Sequence, residues 1–487
     1  MHPYLRKSLD YAGSDFINKL LYLLLLPLFT HFLPPAQYAV YANITIFMGF
    51  AGLLYLLGLQ QALFSFYYEE KSPRHYRSVI ITVLTAVTAS GLLLSALIAI
   101  NGTQISQLIV RTPNYGHIIR IVAVIIFFDS LFAIIRSLLN IMERSRSYGL
   151  LAIIKNGIFV CIVGFFALQR SLAIEQLFIA LLVASVISFV LALVVIIRYT
   201  SAMDAGSVGF SGTLFLRMLG FGLVMIPGTV AMMALRVSDR YMITYLSPGG
   251  LHDAGIYAIS YRVGSVVAFL NGIVSLTFFP YAMKIASEPF AKRSYSTLMN
   301  YYLLGGVVIA SLVMLFSPEL FSIFIDDAYA AAIPIVFCGV ISTFLNGIFN
   351  IINLSFYIKK RAGNIAGTVF LGALINIGLN YFFIPRWGIS GAAVASVIAY
   401  LFIVLFNFTI AEKMYPVGYS LRRILGAIAL LCVIAWINPR LPQTLWFSGI
   451  KIGLVIAGSI LVWMVSPSPK LLFNKIQENI RGSDLSS

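Results

Sequence analysis

An all-α, polytopic membrane protein with about fourteen transmembrane helices is what this sequence predicts, and three observations predict it. Of its 487 residues, 60% are hydrophobic and only 10% are charged, against about 45–50% and roughly 25% in a soluble domain. Apolar runs of about twenty residues, enough to cross a hydrocarbon core about 30 Å thick, follow one another along the chain. The basic residues between them fall mainly in every second connection. The runs do not alternate apolar with polar side chains, which excludes a closed barrel and leaves helices.

Taken in order, the spans are expected near residues 14–33, 38–60, 79–100, 117–139, 149–169, 173–198 and 213–236. Seven more follow near 253–280, 299–318, 330–357, 362–384, 388–412, 420–438 and 444–466. The first run follows Arg6 and Lys7 without a small-residue cleavage site after it, so it reads as a spanning helix and not a removable signal. One set of connections carries Lys71, Arg74 and Arg77, then Arg144 and Arg146, Arg198 and Arg217, Lys284, Lys292 and Arg293, Lys359 to Arg361, Lys413, Arg422 and Arg423. The alternate set holds few, such as Arg111, Arg170, Arg386 and Arg440. That asymmetry places the basic set, and both termini, in the cytoplasm of a multi-pass membrane protein.

The net charge of +16 would point to nucleic acid in a soluble protein. Beside apolar runs it points to anionic lipid headgroups, and no nucleic-acid partner is expected. Cys161, Cys338 and Cys432 lie inside apolar runs without metal-ligand spacing and read as small apolar side chains. No connection is long enough for a soluble catalytic domain. There is no Gly-rich phosphate loop, HExxH or Ser-His-Asp arrangement, so no enzyme and no resident cofactor or metal is expected.

The stretch LFTHFLPPAQYAVY at Leu28 to Tyr41 echoes MITYLSPGGLHDAGIY at Met242 to Tyr257: a helix end, a Leu and Pro turn, then a Tyr opening the next helix. Six spans precede the first helix of the second copy, and six spans make one repeat. The expected layout is therefore two pseudo-symmetric six-helix lobes, 1–200 and 210–412, followed by a helix pair and cytoplasmic tail at 413–487. In parallel-repeat transporters the substrate path runs between the lobes, which makes spans 1, 2, 7 and 8 its expected lining.

Ionisable residues inside spans are costly and face a partner or a wet cavity. Asp15 and Lys19 stand one turn apart at the start of the first span, where snorkelling competes with a lumen role. Asp129, in VIIFFDSLFAIIRS, is the deepest acid in the sequence reading. A coupling cation, H⁺ or Na⁺, and an interhelical ion pair are both open for it. Arg236, Asp239 and Arg240 share a face at the end of span 7, where the acid can hold one guanidinium and leave net positive charge. Arg262 lies about 15 Å inside span 8 at 1.5 Å per residue, flanked by Tyr257 and Tyr261, whose rings suit sugar stacking or simple packing. Arginine's fork suits bidentate binding of phosphate, so this lumen would attract a diphosphate headgroup.

Three segments resemble the polysaccharide transporter family, the Wzx-type flippases of the multidrug/oligosaccharidyl-lipid/polysaccharide exporter superfamily. They are GSDFINKLLYLLLLPLFTHFLPPAQYAVYANI (Gly13 to Ile44), SDRYMITYLSPGGLHDAGIYAISYRVGSVV (Ser238 to Val267) and NYFFIPRWGISGAAVASVIAY (Asn380 to Tyr400). The resemblance covers essentially the whole chain. It implies a two-lobed fold that flips an undecaprenyl-diphosphate-linked oligosaccharide to the periplasmic leaflet for surface polysaccharide synthesis by alternating access. A polysaccharide polymerase and a chain-length regulator would be working partners. Arg240 sits on a family-like Asp-Arg-Tyr stretch; Lys19, Arg236 and Arg262 rest on the charge argument alone. Rival readings are a peptidoglycan-precursor flippase, a MATE-like drug exporter, which would want acidic lumen residues, and a membrane glycan polymerase or ligase, which would want a large external loop.

Overall fold

Local chemistry sets where the helices begin and break. The computed structural model describes residues 13, 17–18, 21, 24–70, 72–201, 209–438, 449, 451–453 and 455–456. After a helical segment at 24–32, α1 (Pro35–Leu56) opens at a proline, whose missing N–H costs nothing in a first turn. It ends where Leu57 and Gly58 both turn left-handed, at φ 50° and 69°. The expected span 38–60 is therefore broken at its end, and α2 (Leu59–Phe66) starts afresh. Ser72 caps α3 (Pro73–Ile100) by accepting from the His75 amide at 3.2 Å. A short α4 (Gly102–Val110) occupies what the sequence reads as a loop.

The long helices α5 (Gly116–Ile141), α6 (Ser145–Leu168) and α7 (Ile174–Ser201) follow. Ser211 then caps α8 (Gly212–Leu246), which carries Pro227 in its interior. After α9 (Leu251–Gly264) the expected span 253–280 does not stay α-helical: a 3-10 turn, a short α10 (Ala268–Ile273) and a π turn at Val274–Phe278 lead to α11 (Phe279–Lys284). α11 opens with Pro280 in its first turn, where a residue without a backbone N–H costs no helical hydrogen bond. Then come α12 (Ala291–Leu315), α13 (Ser317–Phe324), α14 (Ile333–Ile352), α15 (Leu354–Ile358), α16 (Ala362–Met414) and α17 (Leu421–Ile437). The two spans expected at 362–384 and 388–412 appear as one element with a sharp break at Gly388, whose φ 56° and ψ −137° suit only glycine.

Ten helices among the described residues are long and apolar enough to cross a membrane. One of these runs over both spans of α16, α17 corresponds to span 420–438, and most of span 444–466 lies outside the described residues. The chain is a multi-pass, all-helical membrane protein. Its three cysteines are free.

Packing divides the chain into two compact units. The first holds 1–259, 324–331 and 369–395; the second holds 260–323, 332–368 and 396–487. This division crosses the lobes read from the repeat, because α8 packs on α1, α2 and α3. The first unit has α5 as its central rod. Leu131, Ile134, Ile135 and Leu138 of α5 meet Val79 and Val83 of α3 and Met218 of α8 in one buried cluster. Apolar burial gives little driving force between helices in lipid, so close packing and polar pairs must hold them. In the second unit the Tyr302 hydroxyl, buried in α12, donates to Asn271 at 2.8 Å and to the Phe344 carbonyl at 2.9 Å. A second tie there is an ion pair between Glu319 of α13 and Lys451, whose side chain is 1% exposed.

Candidate functional site

Three stretches distant in sequence bring their polar side chains together inside the first unit. On α8, Asp239 is 2% exposed. One carboxylate oxygen accepts from the Tyr257 hydroxyl of α9 at 2.6 Å. The other accepts from the Asn380 amide of α16, also at 2.6 Å. Asn380 in turn donates to Asn376 at 3.1 Å, and the Ser238 hydroxyl donates to the same Asn376 oxygen at 3.2 Å. Asn376 and Asn380 stand at i and i+4, so one helix face presents both amides. The Asn380 side-chain oxygen is buried and has no hydrogen-bond partner among the described residues.

A buried carboxylate is tolerated only when its charge is compensated. Here two neutral donors supply part of that compensation. The donor set, one carboxylate with amide and hydroxyl oxygens, suits a proton or a small hard cation. Among the described residues no three His, Cys, Asp or Glu side chains gather as a multi-ligand metal site would need.

These positions correct the sequence reading of depth. Asp129 is not the most buried acid: its side chain is 31% exposed, and Lys155 of α6 reaches it at 2.5 Å. The Lys155 ammonium also lies 5.3 Å from the Phe132 ring, and the neighbouring Asn156 donates to Asn18 at 2.8 Å. Lys155→Met is expected to lower the thermal midpoint by the equivalent of about 1–2 kcal/mol, a partly exposed pair costing less than a buried one. Asp129→Leu with Lys155→Met should restore most of the loss in a thermal-shift series, whereas failure to restore it would give Asp129 a role beyond the pair.

Tyr257 is buried, with its hydroxyl spent on Asp239, so its ring is not offered to a sugar. Arg236 is exposed on α8, and Arg240 is half-buried. Tyr261 and Arg262 belong to the second unit. Tyr261 lies 3.5 Å from the Ser342 hydroxyl there, and Arg262 is partly buried. Lys19 lies outside the described residues, as does Asp15.

α8 is also held to the preceding helices at both ends. Toward its C-terminus the Asn43 amide donates to Thr244 at 2.9 Å and Tyr241 donates to the Asn43 carbonyl at 2.8 Å. Toward its N-terminus Arg217 pairs with Glu69 and lies 5.2 Å from the Phe66 ring, while Phe66 meets Phe221 edge-on at 6.0 Å. One turn on, the backbones of Gly58 and Gly222 touch: a Cβ on Gly222 would fall 2.7 Å from the Gly58 carbonyl carbon. Gly222→Val is expected to cost about 1–3 kcal/mol of thermal stability, the usual range for overpacking, because backbone cannot rotate aside. An unchanged midpoint would show that this contact is dispensable.

Comparison with known proteins completes the description. The family model for polysaccharide biosynthesis proteins matches residues 4–286, more than half of the chain. An uncharacterized membrane protein of Methanocaldococcus jannaschii is 22% identical over 243 residues, 48% of this chain and 46% of that protein. The chain thus matches about half the length of that curated relative. Among solved structures, the lipid II flippase MurJ in an inward closed conformation superimposes with a TM-score of 0.74 at 16% identity, covering 93% of this chain and 98% of that one. An inward-facing multidrug resistance MATE family transporter of the MOP superfamily gives 0.69 at 13% identity, covering 81% and 95%. At these identities the likeness establishes the fold.

Proposed function

We propose that this chain, which belongs to the polysaccharide biosynthesis protein family, is a flippase for a diphosphate-linked oligosaccharide on an undecaprenyl carrier. The family match is the observation that carries the reading, and the transporter fold agrees with it. The charge bias along the sequence supports cytoplasmic termini, and transfer runs in this reading from the cytoplasmic to the periplasmic leaflet of the inner membrane. Arg236 and Arg240 on α8, Arg262 on α9 and Lys19 are the headgroup ligands we assign, since guanidinium and ammonium groups match a diphosphate. Tyr261 is the sugar-facing aromatic of this set. Asp239, with Asn376 and Asn380, is the coupling site for H⁺ or Na⁺, a role that sequence alone offered to Asp129. In this reading the chain is assigned no catalytic residue. A polymerase and a chain-length regulator would take up the product.

The experiment is leaflet transfer of labelled undecaprenyl-diphosphate oligosaccharide in proteoliposomes, with Arg240→Ala and Arg262→Ala beside the native protein. The reading expects transfer by the native chain and at least a tenfold loss in each folded variant. A second substrate, the peptidoglycan precursor lipid II, is worth the same assay because a lipid II flippase shares the fold. Export of a cationic dye without transfer of any lipid-linked sugar would assign the chain to the drug-exporter reading.

A further inference from the structure

Between its two attachments to the helices before it, α8 touches α1 where Met233 packs on Gly49, and beside that contact a cavity of about 570 Å³ opens among α1, α3 and α8. Phe47, Phe50 and Leu54 of α1, Leu94 and Leu97 of α3 and Val230 of α8 line it. The position follows from the clamps: on α1 the lining lies between Asn43 and Gly58, on α8 between Gly222 and Thr244. Val230 comes three residues after Pro227, where the missing N–H removes one rung of the helix ladder and lets α8 bend.

The walls are almost wholly hydrocarbon. Polar groups at the border are committed to protein partners: the Tyr55 hydroxyl lies 3.0 Å from Ser95, and the Asn101 amide donates to the Leu97 carbonyl at 2.8 Å. Buried water needs two to four polar partners, which this lining does not provide. The volume is that of a small-ligand site, about 300–1,000 Å³. Leu53 belongs to this cavity and also to a second, much smaller hollow edged by Gly58, Gln60, Gln61 and Thr229. Leu53 thus stands between the apolar cavity and the small hollow beside the Gly58 and Gly222 contact, where the Gln60 amide donates to Ser137 at 3.0 Å. A ligand that fits the cavity is a hydrocarbon chain, and the surrounding bilayer is a reservoir of such molecules.

We infer that this cavity between α1, α3 and α8 binds the polyprenyl chain of the lipid-linked substrate. The inference rests on the flippase reading for the identity of the chain, while the geometry alone fits a lipid tail. Held there, the tail stays with α8 while the charged headgroup crosses, so the protein selects for carrier length as well as for headgroup.

The test uses native protein in phosphatidylethanolamine and phosphatidylglycerol vesicles with an undecaprenyl-diphosphate sugar carrying a diazirine on its chain, and peptide mapping after irradiation. Label is expected on 47–55, 94–105 and 226–233 at least fivefold above its level on 160–168, which carries the 88% exposed Leu168. Val230→Trp and the milder Ala51→Leu, which fill the cavity, should each cut that label at least threefold. They should also raise the half-saturating concentration of the eleven-isoprene substrate without moving that of a two-isoprene analogue. Leu168→Trp should change none of these. Even labelling of all lipid-facing helices, or equal effects on long and short chains, would overturn the inference. So would a diazirine phosphatidylglycerol that labels the same peptides and is not displaced by the polyprenyl substrate, since the occupant is then bulk lipid. If the native protein moves no lipid-linked sugar yet the label concentrates here and is competed by unlabelled carrier, the tail site stands and the transport reading falls.

Discussion

Asp239→Asn is expected to reduce gradient-driven transfer of the lipid-linked sugar at least tenfold while leaving the protein folded. The substitution keeps the shape and one accepting oxygen, so at least one of the bonds from Tyr257 and Asn380 survives. What it removes is the negative charge. A 2% exposed carboxylate can take up and release a proton or Na⁺, and each exchange changes its charge. An amide cannot make that exchange, and a tenfold effect needs only about 1.4 kcal/mol of lost coupling. Downhill transfer with no imposed gradient should fall much less, which separates coupling from damage. Undiminished dependence of transfer on the H⁺ or Na⁺ gradient would remove Asp239 from the coupling role. Tyr257→Phe is the companion variant: it unties one donor from the carboxylate and should move the pH or Na⁺ midpoint of transfer without abolishing it.

The second large effect concerns stability. Glu319→Gln leaves the Lys451 ammonium, 1% exposed, without its counter-charge, at a cost of about 3–5 kcal/mol. The reverse change is milder. Lys451→Met supplies an apolar chain to an apolar site beside Phe316, and the Glu319 side chain, 29% exposed, keeps some access to solvent. The double variant Glu319→Gln with Lys451→Met should therefore lie closer to native than Glu319→Gln alone, with a coupling energy above about 1 kcal/mol in a double-mutant cycle. Additive losses in thermal unfolding would mean that the two side chains do not depend on one another.

The fold class was legible because hydrocarbon imposes one simple demand: every backbone group must be paired within the segment, over a fixed length. Nine of the expected spans, from 38–60 to 330–357, each coincide with a helix or, for 253–280, a broken succession of short ones. The breaks at Leu57–Gly58 and at the π turn before Pro280 were not legible, because an apolar run does not announce its dihedral angles. The candidate site was half legible. Asp239 and Tyr257 stood out as polar groups in apolar helices, and their contact spans only 18 residues. Asn376 and Asn380 were passed over because neutral amides in NIGLN cost little to bury, although their i, i+4 spacing was a usable signal. Lys155 was equally plain in LLAIIKNGIF as a lone cation within a span. Its partnership with Asp129 needed the structure, since pairs between helices leave no periodic trace.

The Glu319 and Lys451 pair has a consequence for biogenesis. Its members are 132 residues apart, and synthesis at about 5–20 residues per second separates their emergence by roughly 7 to 26 s. Through that interval the insertion machinery holds a membrane protein whose acid has no cation to meet. Until Lys451 arrives, that acid has to remain protonated, stay at the water boundary or be shielded by a chaperone. Lys451 thus acts as a late lock: a polypeptide stalled or cleaved before it leaves the Glu319 charge uncompensated.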